Sequence, residues 1–281
     1  MDVFLNGEFV PEEEATVSVF DRGVLYGDGV FETLRIYNGK PFLLDRHIGR
    51  LGHSLGSLHI AESLDFGEYL KATRALIERN EVVDGVLRIQ VTRGVGKRGF
   101  SSTGNYNPTV IISLHDAPPI TNDAPAQLKL ISATSVLSDH DPFSTLKTTN
   151  KLVNIIAMRE AERVDADDAL LLNQSGFVTE STGSNVFAVR KGALRTPPLN
   201  SGCMAGITRG FVLELAIELG VTSTQDNLTS ADLAEAEGVF LTNSVREIQP
   251  VGSIDGQPIA SSKLIGQIRQ AYRNCVIKET Q

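Results

Sequence analysis

STLKTTNKLVN (residues 144–154) sets two lysines four apart, Lys147 and Lys151, where a run of small polar residues passes into an apolar stretch of helical character. A lysine is usually a solvated surface charge. At a strand-to-helix junction it can instead be desolvated, and its free amine can then attack a carbonyl. Lys147, directly after Leu146, holds that junction. Lys151, next to Asn150, falls within the predicted helix, where solvation is the simpler reading. The segments around them decide between the two.

Upstream, the turns Asn6-Gly7 and Asn38-Gly39 divide alternating apolar runs into two hairpins, the second being VFETLRIY and KPFLL. Asp45 is placed to cap a helix reaching about Leu58, with Ile48, Leu51, Leu55 and Leu58 on one face. Asp65 is placed to cap a second, FGEYLKATRALIERN, and strands GVLRIQVTRG and PTVIISL follow. HDAPPITNDAPAQ (115–127) concentrates turn formers and reads as a linker.

Downstream come strand LKLISAT, the opening stretch, and a helix whose apolar face includes Leu152, Ile155, Ile156 and Met158. Short strands ALLLN, FVT and NVFAV are next, with turns at Gln174–Gly176 and Lys191-Gly192. A helix from Gly206, strand GVFLT, a hairpin around Asp255-Gly256 and a last helix complete the chain. The pattern predicts an α+β protein: a small α+β domain at 1–116, a linker at 117–127 and a larger, strand-rich domain at 128–281.

A chain of 281 residues can bury one large core or two medium ones. At 41% hydrophobic and 21% charged it has the composition of an ordinary globular protein. A net charge of −8 without a basic run argues against nucleic acid or an anionic membrane as partner. Two distant cysteines, Cys203 and Cys275, suit neither a metal site nor a disulfide framework and fit a reduced, cytoplasmic setting. No stretch reads as a signal peptide or a membrane span.

Four further stretches offer chemistry. In GFVTESTGSNVF (176–187), Glu180 lies among small residues, where a carboxylate can sit deep and pair with a protonated ring nitrogen, or simply form a turn. In GCMAGITRGF (202–211), Gly206 precedes a helix start at Ile207 and Thr208, whose backbone N–H groups and hydroxyl suit an anion. Arg50, off the apolar stripe of its helix, can reach a phosphate or solvent. LTNSVREIQPV (241–251) ends a strand in an Asn243-Ser244 turn that can expose more backbone donors.

With DRGVLYGDGVFETLR, HIGRL, LKTTN, VTESTGSNVF, GITR and SVREIQPV in this order over nearly the whole chain, the sequence resembles the fold-type IV pyridoxal-phosphate enzymes, the class IV aminotransferases. That group includes branched-chain and D-amino-acid aminotransferases and aminodeoxychorismate lyases. The resemblance implies a smaller α/β domain, a larger pseudo-barrel domain, a homodimer, and small amino-acid and keto-acid substrates. Lys147 matches the lysine that carries pyridoxal 5'-phosphate covalently, and Lys151 matches none. Glu180 matches the acid that pairs with the pyridine nitrogen, and Arg50 the arginine that binds the phosphate. Ile207, Thr208, Asn243 and Ser244 would complete the phosphate site, and Asn185 would lie near the phenolic oxygen. Tyr26, Phe31, Thr33, Arg35, Arg88, Arg98 and Val245 would line the substrate pocket.

Within the group the signals are mixed. Arg98 stands where D-amino-acid aminotransferases place an arginine of their carboxylate trap, but Phe100 replaces its companion histidine. KRGFS resembles the GRGYS of aminodeoxychorismate lyases. Val86-Leu87-Arg88 lacks the tyrosine of the branched-chain pattern Tyr-x-Arg, and Arg88 and Arg93 could equally be strand-face charges at a dimer interface. The expectation is transamination of a branched-chain, aliphatic or D-amino acid, with the lyase as alternative. A non-catalytic binding protein on the same fold is disfavoured by the presence of Lys147, Glu180 and Arg50.

Overall fold

Asn6-Gly7 and Asn38-Gly39 take the positive φ values that two-residue hairpin turns require, 51° and 101° at the first and 49° and 75° at the second. The structure, a computed structural model, describes residues 1–104, 106–120, 125–139 and 141–281. Two compact units divide the chain: Met1–Ala117 with Leu146–Asn150 and Lys278–Gln281, and Pro118–Thr145 with Lys151–Ile277.

The first unit is an antiparallel sheet of six strands in the order β2-β1-β6-β5-β3-β4. They are β1 (Asp2–Leu5), β2 (Glu8–Pro11), β3 (Gly29–Tyr37), β4 (Lys40–Pro41), β5 (Gly85–Thr92) and β6 (Thr109–His115). A short α1 (Arg22–Tyr26) precedes β3; α2 (Leu44–Ser57) and α3 (Phe66–Arg79) pack on the sheet through Ile48, Leu51, Leu55, Tyr69 and Leu76, all buried. Asp65 does cap α3, in a reciprocal pair with Glu68. Asp45 does not cap α2. The cap is Leu43, at φ 55°, and Asp45 lies in the first turn, where its charge still favours the helix dipole.

The second unit is built on β7 (Leu128–Leu137), β8 (Asp168–Asn173), β9 (Val178–Ser181), β10 (Asn185–Arg190), β11 (Ala193–Thr196), β12 (Ser223–Gln225), β13 (Gly238–Asn243), β14 (Glu247–Ile254) and β15 (Gln257–Pro258). Pairings run β10-β13-β14-β7-β8-β9, and Asn185 opposite Glu180 joins β9 back to β10, closing a ring of strands. Closure removes the exposed edges that an open sheet would leave. Stacked Phe187 and Phe240, ring centroids 5.0 Å apart, are fully buried beside a core of Val178, Val186, Leu228, Val239 and Leu241. The helices are α4 (Leu152–Glu162), α5 (Ile207–Glu218), α6 (Ser230–Ala234) and α7 (Lys263–Thr280), the last ending within the residues of the first unit. This is the α+β fold with a strand-rich barrel that the resemblance implies. No helix among the described residues is long and apolar enough to cross a membrane.

Two expectations change. The face of α4 packed on β8 is made of Ala157 and Ala161, whereas Leu152, Ile155 and Ile156 are 69%, 55% and 43% exposed. The alanines, one helical turn apart, let the helix lie close to the sheet and turn its larger residues outward. Second, a boundary at 116 and 128 would put Lys147 in the larger domain, but Leu146–Asn150 belongs to the first unit because it pairs with β3. Of the expected linker, residues 121–124 lie outside the described residues.

Candidate active site

Lys147 is held by its neighbours' backbone rather than by a helix. Its carbonyl accepts the Phe31 N–H at 2.9 Å, and the Thr149 N–H reaches the Gly29 carbonyl at 2.9 Å. The Thr149 hydroxyl (2.6 Å) and the Asn150 amide (2.8 Å) both donate to the Gly27 carbonyl. Gly27 is left-handed (φ 66°) as the cap of α1, and a Cβ there would sit 2.6 Å from Asn150 Oδ1. LKTTN and YGDG are thus two sides of one clasp. Lys151 lies across the division, as the N-cap residue of α4 in the second unit.

Strand β3 presents different chemistry on its two faces, because successive side chains alternate. Phe31 and Thr33 share a face with Arg88 and Gln90 of β5, which stand opposite them in register. The Lys147 ammonium lies 4.6 Å and the Arg88 guanidinium 4.0 Å from the Phe31 ring centroid, so one aromatic ring carries two cations. Arg88 is further tied to Gln90 Oε1 through Nη2 at 2.8 Å, and burial lowers its pKa.

On the opposite face, Glu32 sits among Val30, Leu34 and Ile36, all fully buried. Its carboxylate accepts both Nε and Nη2 of Arg50 at 2.7 Å and meets Nδ1 of buried His47 at 2.6 Å. Burial alone would raise the Glu32 pKa, but the bonds from Arg50 and His47 outweigh it and hold it at about 2. Burial lowers that of His47 despite Glu32, so the ring is neutral near pH 7 and donates Nδ1–H. Sequence reasoning missed Glu32 and His47. The signal was there: an acid in the inward row of VFETLRIY needs a partner one strand or helix away.

The remaining pocket candidates of the first unit behave differently. Tyr26 accepts the Gly99 N–H at 2.9 Å on its hydroxyl and packs 5.7 Å from Phe100, which is 89% exposed. Arg98 on the same loop is exposed. Arg35 is not offered to a substrate: it is buried and forked on Asp84 at 2.8–3.2 Å. Arg93 is equally structural, buried and bonded to both oxygens of Asp28 and to the Leu58 and His59 carbonyls.

In the second unit Glu180 on β9 is half-buried, and its Oε2 accepts the Met204 N–H at 2.8 Å. Asn185 on β10 donates to the Met204 carbonyl at 2.8 Å, so the two side chains clip the loop ahead of α5 to the barrel. Gly206, the N-cap of α5, offers no side-chain cap, and a Cβ there would collide with Asn185 Oδ1 at 1.9 Å. Behind it, the Thr208 and Ser244 hydroxyls are 3.3 Å apart. Asn243 does not point its amide at them. Its Oδ1 accepts the Val245 and Arg246 N–H groups and its Nδ2 donates to Ser184, shaping the turn that carries Ser244 and half-buried Val245.

The family model described as amino-transferase class IV matches residues 29–254, and the chain belongs to that family. It is 39% identical, over 97% of its length and 94% of the relative's, to a Methanocaldococcus jannaschii protein provisionally named a branched-chain-amino-acid aminotransferase. It is 34% identical to a D-alanine aminotransferase of Bacillus licheniformis, covering 100% and 99%, and 33% identical to an aminodeoxychorismate lyase of Bacillus subtilis, covering 90% and 86%. The solved branched-chain aminotransferase of the archaeon Thermoproteus uzoniensis, with norvaline, superposes with a TM-score of 0.93 at 29% identity, over 100% of this chain and 96% of that one. Enzymes of this family use pyridoxal phosphate. Within the second unit the chemistry suits that group: a carboxylate, Glu180, and a helix start without a side-chain cap, with two hydroxyls beside it.

Proposed function

We propose that this enzyme is a transaminase moving an amino group between an amino acid, branched-chain, aliphatic or D-, and a 2-keto acid. The observation that carries this reading is the Phe31 ring with the Lys147 amine on it and the Arg88 guanidinium beside it, an amine carrier next to a carboxylate binder. Lys147 would bind the cofactor covalently, and its amine, once released, would take the proton from the substrate's α-carbon and return it to the cofactor carbon. Glu180 would hold a proton on the pyridine nitrogen. Arg50, the N–H groups of Ile207 and Thr208, and the Thr208 and Ser244 hydroxyls would bind the phosphate, with Asn243 and Asn185 shaping the loops that carry them. Pyridoxal phosphate, when bound, supplies the electron sink for the charge left on the α-carbon. Tyr26, Phe31, Thr33, Arg88, Arg98 and Val245 would meet the substrate.

A second reading, an aminodeoxychorismate lyase, is favoured by KRGFS and by the Bacillus subtilis relative. One experiment separates the two. The yellow holoenzyme is mixed with single L- and D-amino acids and no acceptor. A transaminase loses its near-visible band and regains it with a keto acid. If no amino acid removes the band, yet aminodeoxychorismate yields pyruvate and 4-aminobenzoate, the lyase reading replaces the first.

We also propose a cytoplasmic homodimer. Two cysteines far apart in the sequence, without the spacing of a metal site or a disulfide framework, fit the compartment, and the exposed Leu152, Ile155 and Ile156 on α4 form an apolar face suited to a second copy. Light scattering that shows an active monomer removes the dimer.

A further inference from the structure

A carboxylate in the middle of a buried row is costly. Taking an ion out of water costs several kcal/mol even after relaxation, and an apolar side chain of similar size would fill the space without that cost. Glu32 is nonetheless fully buried between Val30 and Leu34 on β3, with both oxygens occupied. Its two partners come from one face of α2, His47 and Arg50, three residues apart. Arg50 is the partner that keeps a link to the outside: its side chain is 11% exposed against 1% for Glu32. A guanidinium gripped through Nε and Nη2 is a planar fork fixed in one orientation, whereas an unpaired arginine samples many rotamers.

We propose that Glu32 is a positioning residue, whose carboxylate, steadied by the His47 N–H, fixes the Arg50 guanidinium in the one orientation that receives the cofactor phosphate. This rests on the reading above in which Arg50 binds that phosphate. The rotamer freedom Arg50 would otherwise lose on binding is then already lost in the apoenzyme. His47 donates to Oε2, the same oxygen that accepts Arg50 Nη2, and so keeps the carboxylate, and the fork with it, from turning.

The test compares two probes on the apoenzyme, pyridoxal phosphate and pyridoxal, which lacks the phosphate, each titrated by absorbance. Glu32→Gln presents an amide N–H to a guanidinium N–H and removes the charge. It should weaken pyridoxal phosphate by about tenfold or more and leave pyridoxal unchanged. Glu32→Asp keeps the charge but withdraws it by one methylene, and should show the same selective loss even if the amide variant folds poorly. In an Arg50→Ala background, Glu32→Gln should cost no further phosphate affinity. It should also recover part of the melting temperature lost by stranding a buried carboxylate. Equal weakening of both probes, or a full Glu32→Gln loss persisting in Arg50→Ala, overturns the proposal. If Arg50→Ala itself binds pyridoxal phosphate like the parent, the phosphate role of Arg50 fails first. If Arg50→Ala loses affinity and Glu32→Gln does not, only the positioning role fails.

Discussion

Two sets of candidate residues, one on each unit, are built by opposite means. In the first unit the candidate groups are full charges, each held by another charge or a ring: Arg88 on Phe31 on one face of β3, Arg50 on Glu32 on the other. In the second unit the groups are mostly neutral: the uncapped start of α5, the Thr208 and Ser244 hydroxyls, and one carboxylate, Glu180, tied to a backbone N–H. Charges inside a protein need partners, so the first set is redundant in contacts and fragile to removal of either partner. Backbone donors need only a helix start and small residues around it, so the second set tolerates change one hydroxyl at a time.

Substitutions can break this contrast. The largest effect is expected at Lys147→Ala: the near-visible absorbance and turnover should both vanish, while Lys151→Ala, across the division, keeps both. Next comes Glu180→Gln, which should retain bound cofactor but cut kcat by orders of magnitude, since the electron sink weakens without a protonated ring nitrogen. Near-normal turnover there would remove its role. Arg50→Ala loses a charge-assisted contact of about 2 kcal/mol, hence a cofactor Kd weaker by tens-fold. Calorimetry should also show a lower Tm, because Glu32 is stranded.

Acid sharpens the same point. Glu32 has a folded pKa of about 2 against an ordinary value of 4.5, so the unfolded chain binds more protons between those values. Its contribution to stability is therefore complete above pH 4.5 and is lost as pH falls toward 2. Acid unfolding of Glu32→Gln should depend less on pH across that window; an identical profile would contradict the buried pair. The smallest effects belong to the neutral set. Thr208→Val or Ser244→Ala should each weaken the cofactor by only about threefold to tenfold, and a loss as large as that of Arg50→Ala would erase the contrast.

Much of this was readable in the sequence where local chemistry decides the outcome. Asn-Gly turns, the Asp65–Glu68 cap and the apolar stripe of α2 depend on neighbours within a few residues. What was not readable depends on partners far along the chain. The helical spacing of Leu152, Ile155 and Ile156 is as regular as that of Ile48, Leu51 and Leu55, yet only the second set is buried, because Ala157 and Ala161 set the face of α4. Arg35 looked available until Asp84 took it, 49 residues away. Lys147 was legible as the reactive lysine candidate, but its assignment to the first unit rests on Gly27 and Gly29, some 120 residues earlier.

The central claim is that Lys147, clasped to β3, is the lysine that carries the cofactor. Borohydride reduction of the holoenzyme fixes the link between lysine and cofactor, and mass spectrometry of a digest then locates the phosphopyridoxyl group. The group should be found on Lys147, with Lys151 in the same region unmodified. A phosphopyridoxyl group on Lys151, or on any lysine other than Lys147, would contradict it.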